Sequence, residues 1–175
     1  MPDFEPITGR YITIDIAGEG HRIFIEEAGR SLPLLCLHTA GNDSRQFRHM
    51  MNDGAITGRF RVIAFDMPYH GRSTPPDRWW LKKFRLTTES YIAIIRAVWV
   101  ALGLERPTLL GCSMGGAIVL KLAARYQDEL SGIVGLESSA YAPGRYNDFL
   151  HHPAIHAANC ARATPMASTR RTVRK

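Results

Sequence analysis

The sequence predicts an α/β fold, a doubly wound, mostly parallel sheet entered through an N-terminal β-hairpin. Three observations predict it. Residues 10–17 and 21–28 both alternate apolar with polar and are separated by a short glycine-rich stretch. The continuous apolar run 32–37 and the segment 60–65, apolar but for Arg61, are short enough to be strands, and such runs mark strands buried on both faces. Segments of helical period alternate with these runs, and strand–helix–strand order favours parallel pairing.

The elements follow in order. Gly18-Glu19-Gly20 reads as the hairpin turn, because glycine supplies the positive φ that tight turns need. The run 32–37 is the first buried strand, after which Asp43 or Ser44 is placed to cap a helix running to about Met51. The run 60–65 is the next strand. Thr87-Thr88-Glu89 opens a helix carrying Tyr91, Ile92, Ile95, Val98, Trp99 and Leu102 at three- and four-residue spacing, and Gly103 closes it. A strand at 107–111 leads to a helix over 117–126, and 131–136 is a further strand. The pattern fails after about Tyr141. Residues 147–155 have the start of a helical pattern, and from Ala157 the chain is rich in Ala, Arg and Thr without acid or aromatic residues. That composition predicts disorder. The expected organisation is therefore a core over 1–142, a short helical segment over 143–156 and a basic tail over 157–175.

The net charge of +6 belongs to the tail. Residues 1–150 hold 17 basic against 16 acidic side chains, whereas Arg162, Arg170, Arg171, Arg174 and Lys175 have no acidic counterpart. The basicity is not a patch on the fold, and no nucleic-acid partner is expected. No apolar run is long enough to span a membrane, and no membrane partner is expected. The opening Met-Pro-Asp-Phe-Glu-Pro lacks an apolar signal region. Cys36, Cys112 and Cys160 are scattered and odd in number, which fits buried free thiols in a cytoplasmic setting.

The chemistry concentrates in Gly111-Cys112-Ser113-Met114-Gly115-Gly116, a G-x-S-x-G between a strand and a helix. This is a nucleophile elbow, in which a sharp turn lifts the serine above the sheet and demands small neighbours. Ser113 is the candidate nucleophile, and the Met114 N–H at the helix start faces the place where an oxyanion forms. Leu37-His38-Thr39-Ala40-Gly41 ends a buried strand and offers a second donor, the Ala40 N–H; an ordinary strand-to-helix turn is the competing reading. Glu137, at the end of the strand after the elbow helix, is placed either to orient a histidine or to be a solvated carboxylate. In Asp66-Met-Pro-Tyr-His-Gly-Arg-Ser73, Asp66 and His70 read as turn-tying groups rather than an acid–base pair. His152 and His156 are four apart, but Pro153 interrupts them and no acidic ligand follows, so no metal site is expected. Trp79-Trp80 before Lys82-Lys83 reads as a loop packing its tryptophans on the domain. No phosphate-binding glycine-rich loop is present and no cofactor is expected.

Together these residues resemble the α/β-hydrolase fold family. His38-Thr-Ala-Gly41 resembles its oxyanion loop, Asp66-x-Pro-x-His-Gly-x-Ser73 the turn after its fourth strand, and Gly111–Gly116 its elbow, over about residues 10–140. Gly144–Pro153 resembles the start of the helical cap. The resemblance implies attack by Ser113 on an acyl carbon, with Ala40 and Met114 holding the oxyanion. It also implies a small ester-like substrate, with hydrolysis of an ester or a related acyl or carbon–carbon bond.

Family members continue through the cap and two more strands, which carry the usual acid and histidine. Residues 154–175 match neither. Glu137 matches an acid position that some members use, and no residue matches the family histidine. The abrupt compositional change past about Ile155 therefore leads us to expect a truncated or frame-shifted hydrolase, weak or inactive in this form. Two other readings stand beside it: a non-catalytic binding protein that retains the pocket, and an enzyme completed by His156 from the tail. The strand ending at Leu136 would then be an open apolar sheet edge, a site of self-association.

Overall fold

The computed structural model describes residues 4–81 and 85–139. The expected helical segment at 143–156, the tail at 157–175, His156, His151 and His152 lie outside the described residues. Six strands form one sheet: β1 (Thr8–Ile16), β2 (Glu19–Ala28), β3 (Leu32–Leu37), β4 (Phe60–Phe65), β5 (Thr108–Cys112) and β6 (Gly132–Leu136). Their spatial order is β1-β2-β4-β3-β5-β6. The hairpin β1–β2 is antiparallel and joins β4 antiparallel, while β4, β3, β5 and β6 run parallel. The predicted doubly wound sheet with its N-terminal hairpin is the observed one.

The hairpin turn lies earlier than the sequence reading put it. Ile16 pairs with Glu19, so Ala17-Gly18 are the two loop residues. Their φ values are 55° and 81°, the doubly left-handed geometry that matches the twist of the flanking strands. The Gly18 N–H donates to Asp15 Oδ1 at 2.9 Å and holds that geometry. Gly20 is part of β2.

Strand alternation divides the core into two faces. Ile23, Ile25, Leu35, Leu37, Ile63, Phe65 and Leu109 point to one face, which is covered by α3 (Thr88–Ala101) and α4 (Met114–Tyr126) through Tyr91, Ile95, Val98, Ile118 and Leu122. Leu34, Cys36, Val62, Ala64 and Leu110 point to the other, where Phe47 and Met51 cover them. Phe47 closes a 3₁₀ turn, Ser44–Phe47, whose N-cap is Asp43. Two short helices follow, α1 (Arg48–Asn52) and α2 (Gly54–Thr57). The second was not expected. Asp53 starts it by accepting from the N–H groups of Ala55 and Ile56. The long helix α3 is held by a capping box between Thr87 and Ser90 and ends as predicted, with Gly103 left-handed at φ 58°.

Two further expectations are corrected. Trp79 and Trp80 do not pack into the domain: they sit on a 3₁₀ turn, Trp79–Leu81, and are 43% and 68% exposed. Their rings meet Tyr69 and each other edge-on instead. Cys36 is a buried free thiol, whereas Cys112 is only half-buried, because it stands at the rim where β5 leaves the sheet.

Candidate active site

Parallel strands bring their carboxyl ends to one rim, and the register fixes which loops are neighbours there. Leu37 on β3 pairs with Gly111 on β5, and Cys112 on β5 pairs with Leu136 on β6. Ser113 therefore lies between the loop that begins at His38 and the residue Glu137. Its backbone is left-handed, with φ 53° and ψ −111°, a conformation unfavourable for a residue with a Cβ. Two hydrogen bonds hold it there: the Ser113 N–H donates to Leu136 O at 2.8 Å, and the Ser113 carbonyl accepts from the Ala117 N–H at 2.9 Å. The helix thus begins at Met114, three residues before the apolar period becomes visible. Ser113 is exposed, and its hydroxyl makes no hydrogen bond to another described residue.

The glycines show why the turn tolerates no side chains. A Cβ on Gly111 would lie 2.2 Å from the Gly115 carbonyl oxygen, and one on Gly115 would lie 2.2 Å from the Leu37 carbonyl oxygen. Both contacts are with backbone, so nothing can swing aside. Gly115 has a second use that the elbow pattern alone does not reveal. The carbonyls of Leu37 and His38 close against it, which seats the His38–Gly41 loop against the start of α4. Gly116 is equally confined, with Ser138 Oγ 2.5 Å from a built Cβ.

The His38–Gly41 loop is tied down by its side chains. His38 is 1% exposed. Its Nδ1 donates to Thr39 O at 2.8 Å, and its Nε2 accepts from the Met67 N–H at 3.2 Å. Those two partners fix one neutral tautomer. Burial pulls its pKa below the ordinary histidine value, against a smaller opposing pull from the Thr39 carbonyl. The Thr39 N–H donates to Gln46 Oε1 at 2.9 Å. The N–H groups of Ala40 and Met114 make no hydrogen bond to another described residue. Met114 opens α4 directly after Ser113, and Ala40 lies in the loop after β3, the strand next to β5.

Asp66 lies in the neighbouring turn, 1% exposed. Its Oδ1 accepts from the Ser44 N–H at 2.7 Å and its Oδ2 from the Arg72 N–H at 2.6 Å. Ser73 Oγ donates to Asp66 O at 2.6 Å and accepts from the Phe24 N–H at 2.9 Å. His70 turns its Nδ1 to Pro68 O at 3.1 Å and its ring to His38, with 5.1 Å between centroids. Asp66 and His70 tie the turn together.

Glu137 is exposed at the rim, left-handed at φ 48°. Its Oε2 lies 4.0 Å from Cys112 Sγ. Among the described residues no histidine hydrogen-bonds Ser113 or Glu137. His49 lies on α1, which covers the opposite face of the sheet from α4. His21 lies on β2, separated from β5 by β4 and β3. Beside the elbow, an apolar cavity of about 200 Å³ opens between α3 and α4, lined by Leu86, Tyr91, Met114, Ile118 and Lys121 among others. Among the described residues no group of three or more potential ligands is placed to hold a metal ion, and no helix is long and apolar enough to cross a membrane.

Residues 33–163 match the family model described as alpha/beta hydrolase fold. The AB hydrolase superfamily protein YisY of Bacillus subtilis is 31% identical over 119 residues, covering 68% of this chain and 41% of that protein. The haloalkane dehalogenase DatA of Agrobacterium tumefaciens superposes with a TM-score of 0.58 at 26% identity, over 71% of this chain and 40% of that one. A thermophilic esterase from Thermogutta terrifontis reaches a TM-score of 0.65 at 24% identity, over 77% and 48%. The chain thus spans less than half the length of each of these relatives.

Proposed function

Because the chain belongs to the α/β-hydrolase fold family, we propose that Ser113 is the nucleophile of a serine hydrolase acting on a small ester or a related acyl or carbon–carbon bond. The observation that carries this reading is the left-handed, exposed Ser113 at the rim between two loops with uncommitted N–H groups. In the proposed reaction Ser113 Oγ attacks the acyl carbon. The N–H groups of Ala40 and Met114 hold the oxyanion, a contribution worth about 2.7–4 kcal/mol per donor. The apolar part of the substrate occupies the cavity beside Met114. Glu137 is the candidate acid.

The hydroxyl must lose its proton as it attacks, and among the described residues no histidine hydrogen-bonds it. The reaction proposed for this chain is therefore slow. Binding and the oxyanion donors alone give roughly 10³–10⁴ over water, enough for activated reagents and poor for ordinary esters. Because no described histidine hydrogen-bonds Ser113, a second reading is a binding protein that keeps the pocket without catalysis.

A fluorophosphonate probe separates the two. On the proposed reading, the folded chain is labelled slowly and Ser113→Ala removes the label; loss of labelling in His156→Ala would favour instead the enzyme completed by His156. A chain with native circular dichroism that takes no label supports the binding reading instead.

A further inference from the structure

Gln46 reaches the candidate site from outside it. Its backbone belongs to the 3₁₀ turn Ser44–Phe47. Asp43 caps that turn by accepting from the Arg45 N–H, the Ser44 N–H donates to Asp66 Oδ1 at 2.7 Å, and Phe47 is buried in the core. The Gln46 N–H itself donates to Asp43 O at 3.1 Å. From this fixed base the half-buried side chain turns back to the loop after β3, where Oε1 accepts from the Thr39 N–H at 2.9 Å. Its amide nitrogen makes no hydrogen bond to another described residue. The bond to Thr39 is therefore the whole return on a carboxamide taken partly out of water.

That bond acts on the peptide between His38 and Thr39. A trans peptide is planar, so its N–H and its carbonyl point opposite ways. With the N–H held by Gln46, the His38 carbonyl faces the other way, and there it lies against the start of α4: a Cβ on Gly115 would be 2.9 Å from it. The next peptide is held as well. The Thr39 carbonyl accepts from His38 Nδ1 at 2.8 Å and from the Asn42 N–H at 3.3 Å. The Ala40 N–H, at the opposite end of that plane, points away from the buried His38 ring.

We propose that Gln46 is a positioning residue for the oxyanion donors. By holding the Thr39 N–H it keeps the His38 carbonyl seated against Gly115, and so sets the distance from the Ala40 N–H to the Met114 N–H. The proposal rests on the reading of Ser113 as the nucleophile. An oxyanion donor acts only when it is held about 2.7–3.1 Å from the oxygen it stabilises. Without the Gln46 acceptor the 38–39 peptide is free to turn, which carries Ala40 out of place and brings the His38 carbonyl dipole toward the developing charge.

Two substitutions separate orientation from folding. Gln46→Met keeps the length of the side chain and removes the acceptor. Gln46→Asn keeps the carboxamide and withdraws it by one methylene. Both are expected to lower the maximal rate of Ser113 labelling by a fluorophosphonate about tenfold or more, the scale on which small misplacements act in a site. The reagent concentration that gives half that rate, and the Tm, are expected to stay at their wild-type values. The Thr39 amide, protected from deuterium exchange in the wild type, is expected to exchange faster in both variants. A labelled wild type whose variants keep its maximal rate overturns the proposal and leaves Ser113 as the nucleophile. So does a loss seen only as weaker reagent binding or as a lower Tm, which makes Gln46 a packing group, and so does a Thr39 amide that exchanges alike in all three chains. A folded wild type that takes no label overturns the nucleophile and the proposal together.

Discussion

Ser113 shows how a single residue is held in an unfavourable conformation. Nothing about serine favours φ 53°; the Leu136 carbonyl, the first turn of α4 and three side-chain-free neighbours impose it together. Gly115→Ala is therefore expected to destabilise the fold by about 1–3 kcal/mol or more, since its Cβ meets backbone on β3. Urea denaturation measures this, and a near-neutral result would refute the close approach of β3 and α4. His38 makes a second prediction at this scale. Its folded pKa lies below the ordinary value of 6.5, so the unfolded chain takes up a proton first as the pH falls. The stability this group contributes is complete above about pH 7.5 and is lost as the pH drops through 6.5 toward the folded pKa, by at most about 1.4 kcal/mol per pH unit. In His38→Gln, which does not titrate, the stability profile across that window is expected to be flatter.

At the scale of elements, one buried carboxylate reinforces the β2–β4 ladder that joins the hairpin to the rest. Glu26 on β2 is 2% exposed. It accepts from Arg48 Nε of α1 at 3.0 Å and from Arg72 of the turn after β4 at 2.9 Å, and makes a further charged contact with the Arg48 guanidinium. Burial alone would raise its pKa, but the two arginines outweigh burial and hold it below the ordinary carboxylate value. Its contribution is therefore present at neutral pH and lost as the pH falls below about 4.5. Glu26→Gln is expected to cost about 2–3 kcal/mol, less than a fully buried pair because both arginines reach water. A thermal melt at neutral pH should show the loss, and the difference between variant and wild type should shrink as the pH falls from 4.5 through the lowered pKa of Glu26.

This network was not legible in the sequence, because its three members are far apart along the chain and each alone reads as a surface charge. The strands β3 and β4 were legible to the residue, since their short apolar runs have sharp ends. The hairpin turn was misplaced because Gly18 and Gly20 both offer positive φ, and only the Asp15 side chain chooses between them. Trp79 and Trp80 misled because burial is the usual fate of an indole and says nothing about whether a neighbouring surface exists to bury it.

At the scale of the whole molecule, the sheet is covered unevenly. The Ser113 rim and the neighbouring His38–Gly41 loop were readable from the motifs, since parallel topology carries both to one end of the sheet. The adjacency of Glu137 followed only from the Cys112–Leu136 register, which no local pattern encodes. The two long helices pack on one face, while the short α1 and α2 pack on the other against β3 and β4. Val134 and Leu136 extend that second face past its cover.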